Sequence, residues 1–171
     1  MGQYYRIVLK NAKDNMESYE PIDGYKLMEF SWCPSDTTAF ICNKLAEPKR
    51  VYVIGDYAND SDNKNIHLDG KRPLEVLRSV KPIPCKQVEY DYTNKWVFNI
   101  TKGVCFPIDS NNAIFGLFLL CSIGNGLGSG DYSGINQNCI GAWYGDFITI
   151  REFKPGDSDN YAPWEAIFDE C

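Results

Sequence analysis

A single histidine, His67, is present among 171 residues. No two of the seven cysteines stand in a Cys-x-x-Cys pair. A structural zinc site needs closely spaced Cys or His ligands, so this pattern argues against zinc. It also leaves a cysteine nucleophile without an obvious imidazole partner, because His67 lies in a polar stretch. Positive charge is scarce: Lys and Arg number 17 against 23 Asp and Glu, and the formal net charge is −6. The basic footprint of a nucleic-acid-binding protein is missing, so no nucleic-acid partner is expected. The longest apolar run, Ala113 to Cys121, is too short to span a bilayer. The opening Met1-Gly2-Gln3-Tyr4-Tyr5 lacks the basic and apolar regions of a signal peptide. These absences make a cytoplasmic protein without a membrane partner the expectation.

Aromatic residues are plentiful, at 14% of the chain. The length suits one domain over residues 1–171, able to bury roughly 70% of its unfolded surface. Cys33, Cys42, Cys85, Cys105, Cys121, Cys139 and Cys171 fall too sparsely for a disulfide scaffold. Several lie in apolar runs and read as buried, reduced thiols.

Tyr4 to Leu9 reads as a first strand, and Tyr25 to Trp32 is ambiguous between strand and helix. Ser35 or Asp36 caps a helix to about Ala46, with Phe40, Ile41 and Leu45 facing the core. Val51 to Ile54 is a short strand. Pro73 opens a second helix carrying Leu74, Leu77 and Val80, and Lys81 to Pro84 breaks it. Gln87 to Tyr92 and Lys95 to Ile100 read as strands. Thr101-Lys102-Gly103 turns the chain into Val104 to Ile108, making a hairpin. Ala113 to Ser122 is expected to be a central buried strand, and Ile140 to Phe153 a long last one. Pro163 to Asp169 reads as one helical turn. The fold class expected is α+β, a mostly antiparallel sheet with two or three short helices.

The most unusual segment is the glycine-rich loop Gly124-Asn125-Gly126-Leu127-Gly128-Ser129-Gly130-Asp131-Tyr132. Alternating glycines permit left-handed backbone and close approach to a ligand, and successive N–H groups can form an anion nest. Neither standard phosphate motif is present, and Asp131 repels a bare phosphate. Gly-Asp-aromatic recurs as Gly55-Asp56-Tyr57, Gly130-Asp131-Tyr132 and Gly145-Asp146-Phe147. Three carboxylates at strand ends could converge on a divalent cation; alternatively, each holds its own turn. Asp60-Ser61-Asp62-Asn63 and Asp157-Ser158-Asp159-Asn160 read as solvated turns. Trp96, Phe98, Phe115 and Phe118 fit core positions, while Tyr4, Tyr5, Tyr57, Tyr132, Trp143 and Tyr144 lie near turns and could meet a planar ligand.

In order, these segments resemble a family of uncharacterised phage and bacterial proteins that open with Met-Gly-x-Tyr-Tyr. The matching pieces are Met1 to Tyr5, Asp23 to Phe30, Arg50 to Tyr57, Trp96 to Lys102, Gly124 to Gly134 and Gly141 to Ile148. Pro48-Lys49 replaces a Gly-Asp of the family pattern, and Ile100 replaces a His. Leu127 stands for a basic residue in the glycine loop, and Phe147 for the Arg after the last Asp. The resemblance implies a phage or prophage setting, spans nearly the whole chain, and brings no activity with it.

The combined expectation is a non-catalytic binding protein, phage-encoded, acting on a host protein or sequestering a small nucleotide-like ligand. Its ligand-binding residues would be Gly124, Asn125, Gly126, Gly128, Gly130, Asp131 and Tyr132, with Asp56, Tyr57, Trp143 and Asp146. No catalytic residue, metal ligand or cofactor is assigned. Two alternatives stand beside it. One is a metal-assisted hydrolase or transferase using Asp56, Asp131 and Asp146. The other is a structural or virion-associated module.

Overall fold

A computed structural model describes residues 4–22, 24–26, 29–30, 34–56, 58, 70–123 and 140–164. It contains nine strands: β1 (Tyr5–Lys10), β2 (Met16–Glu20), β3 (Lys49–Gly55), β4 (Pro82–Pro84), β5 (Lys95–Asn99), β6 (Val104–Pro107), β7 (Ser122–Ile123), β8 (Phe147–Glu152) and β9 (Ala162–Pro163). The helices are α1 (Asp36–Lys44), α2 (Pro73–Ser79), α3 (Asn111–Leu120) and α4 (Asp157–Asn160). The nine strands form one sheet in the order β4-β2-β1-β3-β8-β5-β6-β9, with β7 on β3. The fold is α+β, but the sheet is mixed rather than mostly antiparallel. β4 on β2, β7 on β3 and β9 on β6 are parallel, while β1, β3, β5 and β8 pair antiparallel. All three parallel partners are strands of two or three residues, too short to read as strands from composition.

Strand alternation divides the core in two. Ile7 and Leu9 of β1 and Val51 and Val53 of β3 enter a cluster with Phe40, Ile41 and Leu45 of α1 and Leu117 and Phe118 of α3. Val8 of β1 and Tyr52 and Ile54 of β3 enter the other cluster, with Val76 of α2. Successive strand side chains point to opposite faces, so α1 and α3 cover one face and α2 the other.

Helix α1 forms where its cap signal stands. Ser35 Oγ accepts from Thr38 N at 3.2 Å, and Thr38 Oγ1 accepts from Ser35 N at 2.9 Å. Phe40, Ile41 and Leu45 are buried as expected. α2 starts at Pro73; Val76 is its fully buried contact, with Leu74, Leu77 and Val80 packed around it.

Four expectations are corrected. Residues 113–120 are helical, not a central strand: Ser110 Oγ caps α3 by accepting from Ala113 N at 3.3 Å. The residues of α3 are buried nearly all round, which erases the period that separates helix from strand. Residues 140–145 are turns, and only Phe147–Glu152 is strand. Gly141 and Gly145 take φ of 74° and 79°, a left-handed backbone that interrupts a ladder. Lys81 to Pro84 does break α2, yet Pro82–Pro84 then pairs with β2 as an edge strand. Residues 87–92 belong to no strand or helix. In addition, Asp157–Asn160 is a short helix rather than a solvated turn; Pro163 belongs to β9, and residues 165–169 of the expected tail turn lie outside the described residues. The hairpin of β5 and β6 stands as expected.

Cys42, Cys85, Cys105 and Cys121 are buried free thiols, in agreement with the reduced reading. Burial pushes the Cys85 thiol up to about 12 and raises that of Cys121 well above its usual value, so neither is a ready nucleophile. Cys33, Cys139 and Cys171 lie outside the described residues.

Candidate functional site

Of the expected site residues, Asp56, Trp143 and Asp146 are described, and these three are not brought together. Gly124, Asn125, Gly126, Gly128, Gly130, Asp131, Tyr132 and Tyr57 lie outside the described residues, as do His67 and Asp60 to Asn63. Asp56 follows β3 and continues its pairing with the chain before β1: its Oδ1 accepts from Tyr4 N at 2.9 Å, and its N–H donates to Tyr4 O at 2.9 Å. Asp146 is buried near the other end of β3, where its carbonyl accepts from Val51 N. Five residues of strand separate the two levels, roughly 16 Å. The Asp146 carboxylate accepts from Asn99 Nδ2 at 2.8 Å and pairs with Lys102 Nζ at 2.9 Å. Asn99 Oδ1 accepts from Lys102 N at 2.9 Å, so the trio ties the β5–β6 turn to the start of β8. Among the described residues no group of three His, Cys, Asp or Glu side chains could hold a metal ion. Trp143 is fully buried against Phe106 and Trp164, a core position rather than a stacking surface. Tyr5 and Tyr144 are buried too, whereas Tyr4 is exposed.

A cavity of about 740 Å³ lies elsewhere. Its walls are the loop after β2, the first turn of α1, and the segment 88–92. Local bonds set each wall. Thr37 Oγ1 accepts from Ile22 N at 3.2 Å, fastening the loop to α1. Tyr25 O accepts from Tyr5 N at 2.7 Å, which ties the same loop to the start of β1. Glu29 Oε2 accepts from Lys26 N at 2.7 Å. On the far wall Asp91 Oδ1 accepts from Thr93 N at 2.9 Å; hydrogen bonding from the Thr93 side chain first, and from its N–H second, lowers the Asp91 carboxyl below its usual value.

Three half-buried tyrosines, Tyr25, Tyr90 and Tyr92, line the cavity, with Val88 and Ile22 between them. The Tyr90 and Tyr92 rings meet edge-on at 4.7 Å. Burial raises the Tyr90 phenol above its ordinary value, with Cys42 and Asp91 adding to it, so it stays a neutral donor. Glu29 and Asp36 supply carboxylates, and among the described lining residues none is Lys or Arg. Gly24 separates this cavity from a smaller one of about 370 Å³, lined by Tyr4, Arg6, Asp56 and Arg78 among others. Its φ is +69°, and a Cβ there would lie 3.4 Å from the Tyr4 ring. A side chain at Gly24 would therefore be strained by conformation first and by space second.

One signal for this cavity was present in the sequence. Val88, Tyr90 and Tyr92 alternate with Glu89 and Asp91, placing the three apolar residues on one side of an extended chain. The alternation is realised, with all three packed against the core, although the ladder pairing is not.

No helix among the described residues is long and apolar enough to cross a membrane. A comparison with protein-family models, with curated proteins and with solved structures finds no match for this chain.

Proposed function

We propose that the protein is a non-catalytic binding protein that holds a small ligand in the tyrosine-lined cleft. The observation that carries the reading is the cleft itself: 740 Å³, walled by Tyr25, Tyr90 and Tyr92 with a few polar groups at its rim. That size and lining match the usual form of small-molecule sites. A nucleotide-like ligand suits the rings through its base, while Glu29 and Asp36 oppose its phosphates. The phage setting rests on the family resemblance alone.

The reading of a host-protein partner has less support. Among the described residues the exposed large apolar ones are Tyr4, Ile83, Ile100 and Phe153. Ile100 follows β5 and Phe153 follows β8; these strands run antiparallel, so the two lie at opposite ends of the pair. Scattered single residues of this kind do not form a docking face.

The reading is tested by a thermal-shift screen with nucleobases, nucleosides, nucleotides, small aromatic compounds and small organic cations on the wild-type protein and Tyr90→Ala. A ligand that binds only the folded state adds about 2.7 kcal/mol at a hundredfold excess over Kd. The expected outcome is a compound that raises Tm in the wild type and not in Tyr90→Ala. Equal shifts in both proteins, or none from the whole screen, would sink the reading.

A further inference from the structure

We infer that the tyrosine-lined cleft selects a small organic cation, an ammonium or guanidinium group carried on an apolar body. This inference rests on the cleft being a ligand site, as proposed above, and adds the charge class of what it takes.

Three observations converge. The lining presents three aromatic rings on two different segments, Tyr25 from one wall and Tyr90 and Tyr92 from the other. Aromatic faces carry negative potential and attract an ammonium or guanidinium placed over them. The charged side chains in the lining are Glu29 and Asp36, both carboxylates, and no described lining residue offsets them. The Asp36 side chain makes no ion pair with any described residue.

The first turn of α1 also opens on this cleft, and a helix start ordinarily favours an anion. Here that preference is already spent within the chain. Ser35 Oγ takes the Thr38 N–H, and Asp36 places a carboxylate in the first turn. Glu29 uses one oxygen on Lys26 N and retains acceptor capacity, because an ionised carboxylate takes about four hydrogen bonds. An incoming anion would meet two like charges, whereas a cation would meet two carboxylates and a lining of three aromatic rings. The cavity exceeds the size of a bare ammonium group, so Ile22 and Val88 are left for an apolar body.

The test is an NMR titration of the labelled protein, read at Tyr25, Tyr90 and Tyr92. The probes are choline, its neutral isostere 3,3-dimethylbutan-1-ol, agmatine and adenosine monophosphate, each at millimolar concentration. The expected result is that choline or agmatine shifts the three tyrosines and binds about fivefold or more tightly than the neutral isostere. Glu29→Gln and Asp36→Asn should each weaken the cationic probes about two- to fivefold and leave the isostere unchanged. Asp36 is exposed at a helix start and Asn suits that position, so Asp36→Asn tests the charge without endangering the fold. If the isostere or adenosine monophosphate binds the same tyrosines as tightly as choline and agmatine, the cation class is wrong while the cleft stands. If no probe moves the three tyrosines, the cleft reading and the cation class fall together.

Discussion

Arg151, on β8, lays its guanidinium 4.0 Å from the centre of the Phe98 ring and pairs bidentately with Asp157 at 2.7 and 2.9 Å. Asp157 Oδ2 also accepts from Lys154 N at 2.6 Å. The Arg151 bond first, and the Lys154 bond second, hold the Asp157 carboxyl at about 2. Because this value is depressed from an ordinary 3.8, the carboxylate stabilises the fold fully above pH 4. That contribution is lost as pH falls from 4 through 2. In urea denaturation, the wild-type protein should lose stability across that window, and Asp157→Asn should show a shallower fall there. Equal slopes would mean that Asp157 is not what the acid titrates. The residue looked from sequence like part of a solvated turn; Arg151, six positions earlier, gives it a partner that composition does not announce.

Among the elements, α1 and α3 mark what local patterning can reveal. The start of α1 is written in Ser35, and its buried face in Phe40, Ile41 and Leu45, since a helix with one apolar side has a readable period. α3 has a cap in Ser110, but Ile114, Leu117, Phe118, Leu119 and Leu120 are all buried. Its ten residues span about 15 Å as helix, against roughly 33 Å as strand, and this compactness fits it over one face of the sheet. Leu117, about 1% exposed, sits in the larger core cluster. Leu117→Ala should cost roughly 2–5 kcal/mol in urea denaturation with an unchanged m-value. A cost below 1 kcal/mol would show that α3 packs less closely than its burial implies.

At the scale of the molecule, the two edges of the sheet share one device. On β4, Cys85 N donates to Glu20 O of β2, so inward-facing N–H groups fall at 83 and 85. The outward positions of that strand are Pro82 and Pro84, which have no N–H to offer. On β9, Ala162 N and Trp164 N donate to Gly103 O and Cys105 O, leaving Pro163 outward. Among the described residues, each edge thus ends on proline where a neighbouring chain would seek a donor. Replacing Pro82 and Pro84 together by Val should raise self-association, seen as a larger mass in light scattering at high concentration. A variant with the wild type's mass at every concentration would show that these prolines do not guard the edge.

The residues alone determined the strands Tyr5–Lys10, Lys49–Gly55 and Lys95–Asn99, the hairpin after Asn99, the capped start of α1 and the acidic character of the surface. Each depends on neighbours close in sequence, where alternation, caps and turn chemistry act. Tertiary structure alone decided that α3 is helical, that short proline strands add parallel pairs, and that Asp56 binds the chain before β1 while Asp146 binds the β5–β6 turn. It also brought Tyr25 and Glu29 opposite Tyr90 and Tyr92, more than sixty residues away. The physical reason is the same for all of them. Burial on every side removes periodicity, and a cleft is made of surfaces that meet only after the sheet has assembled.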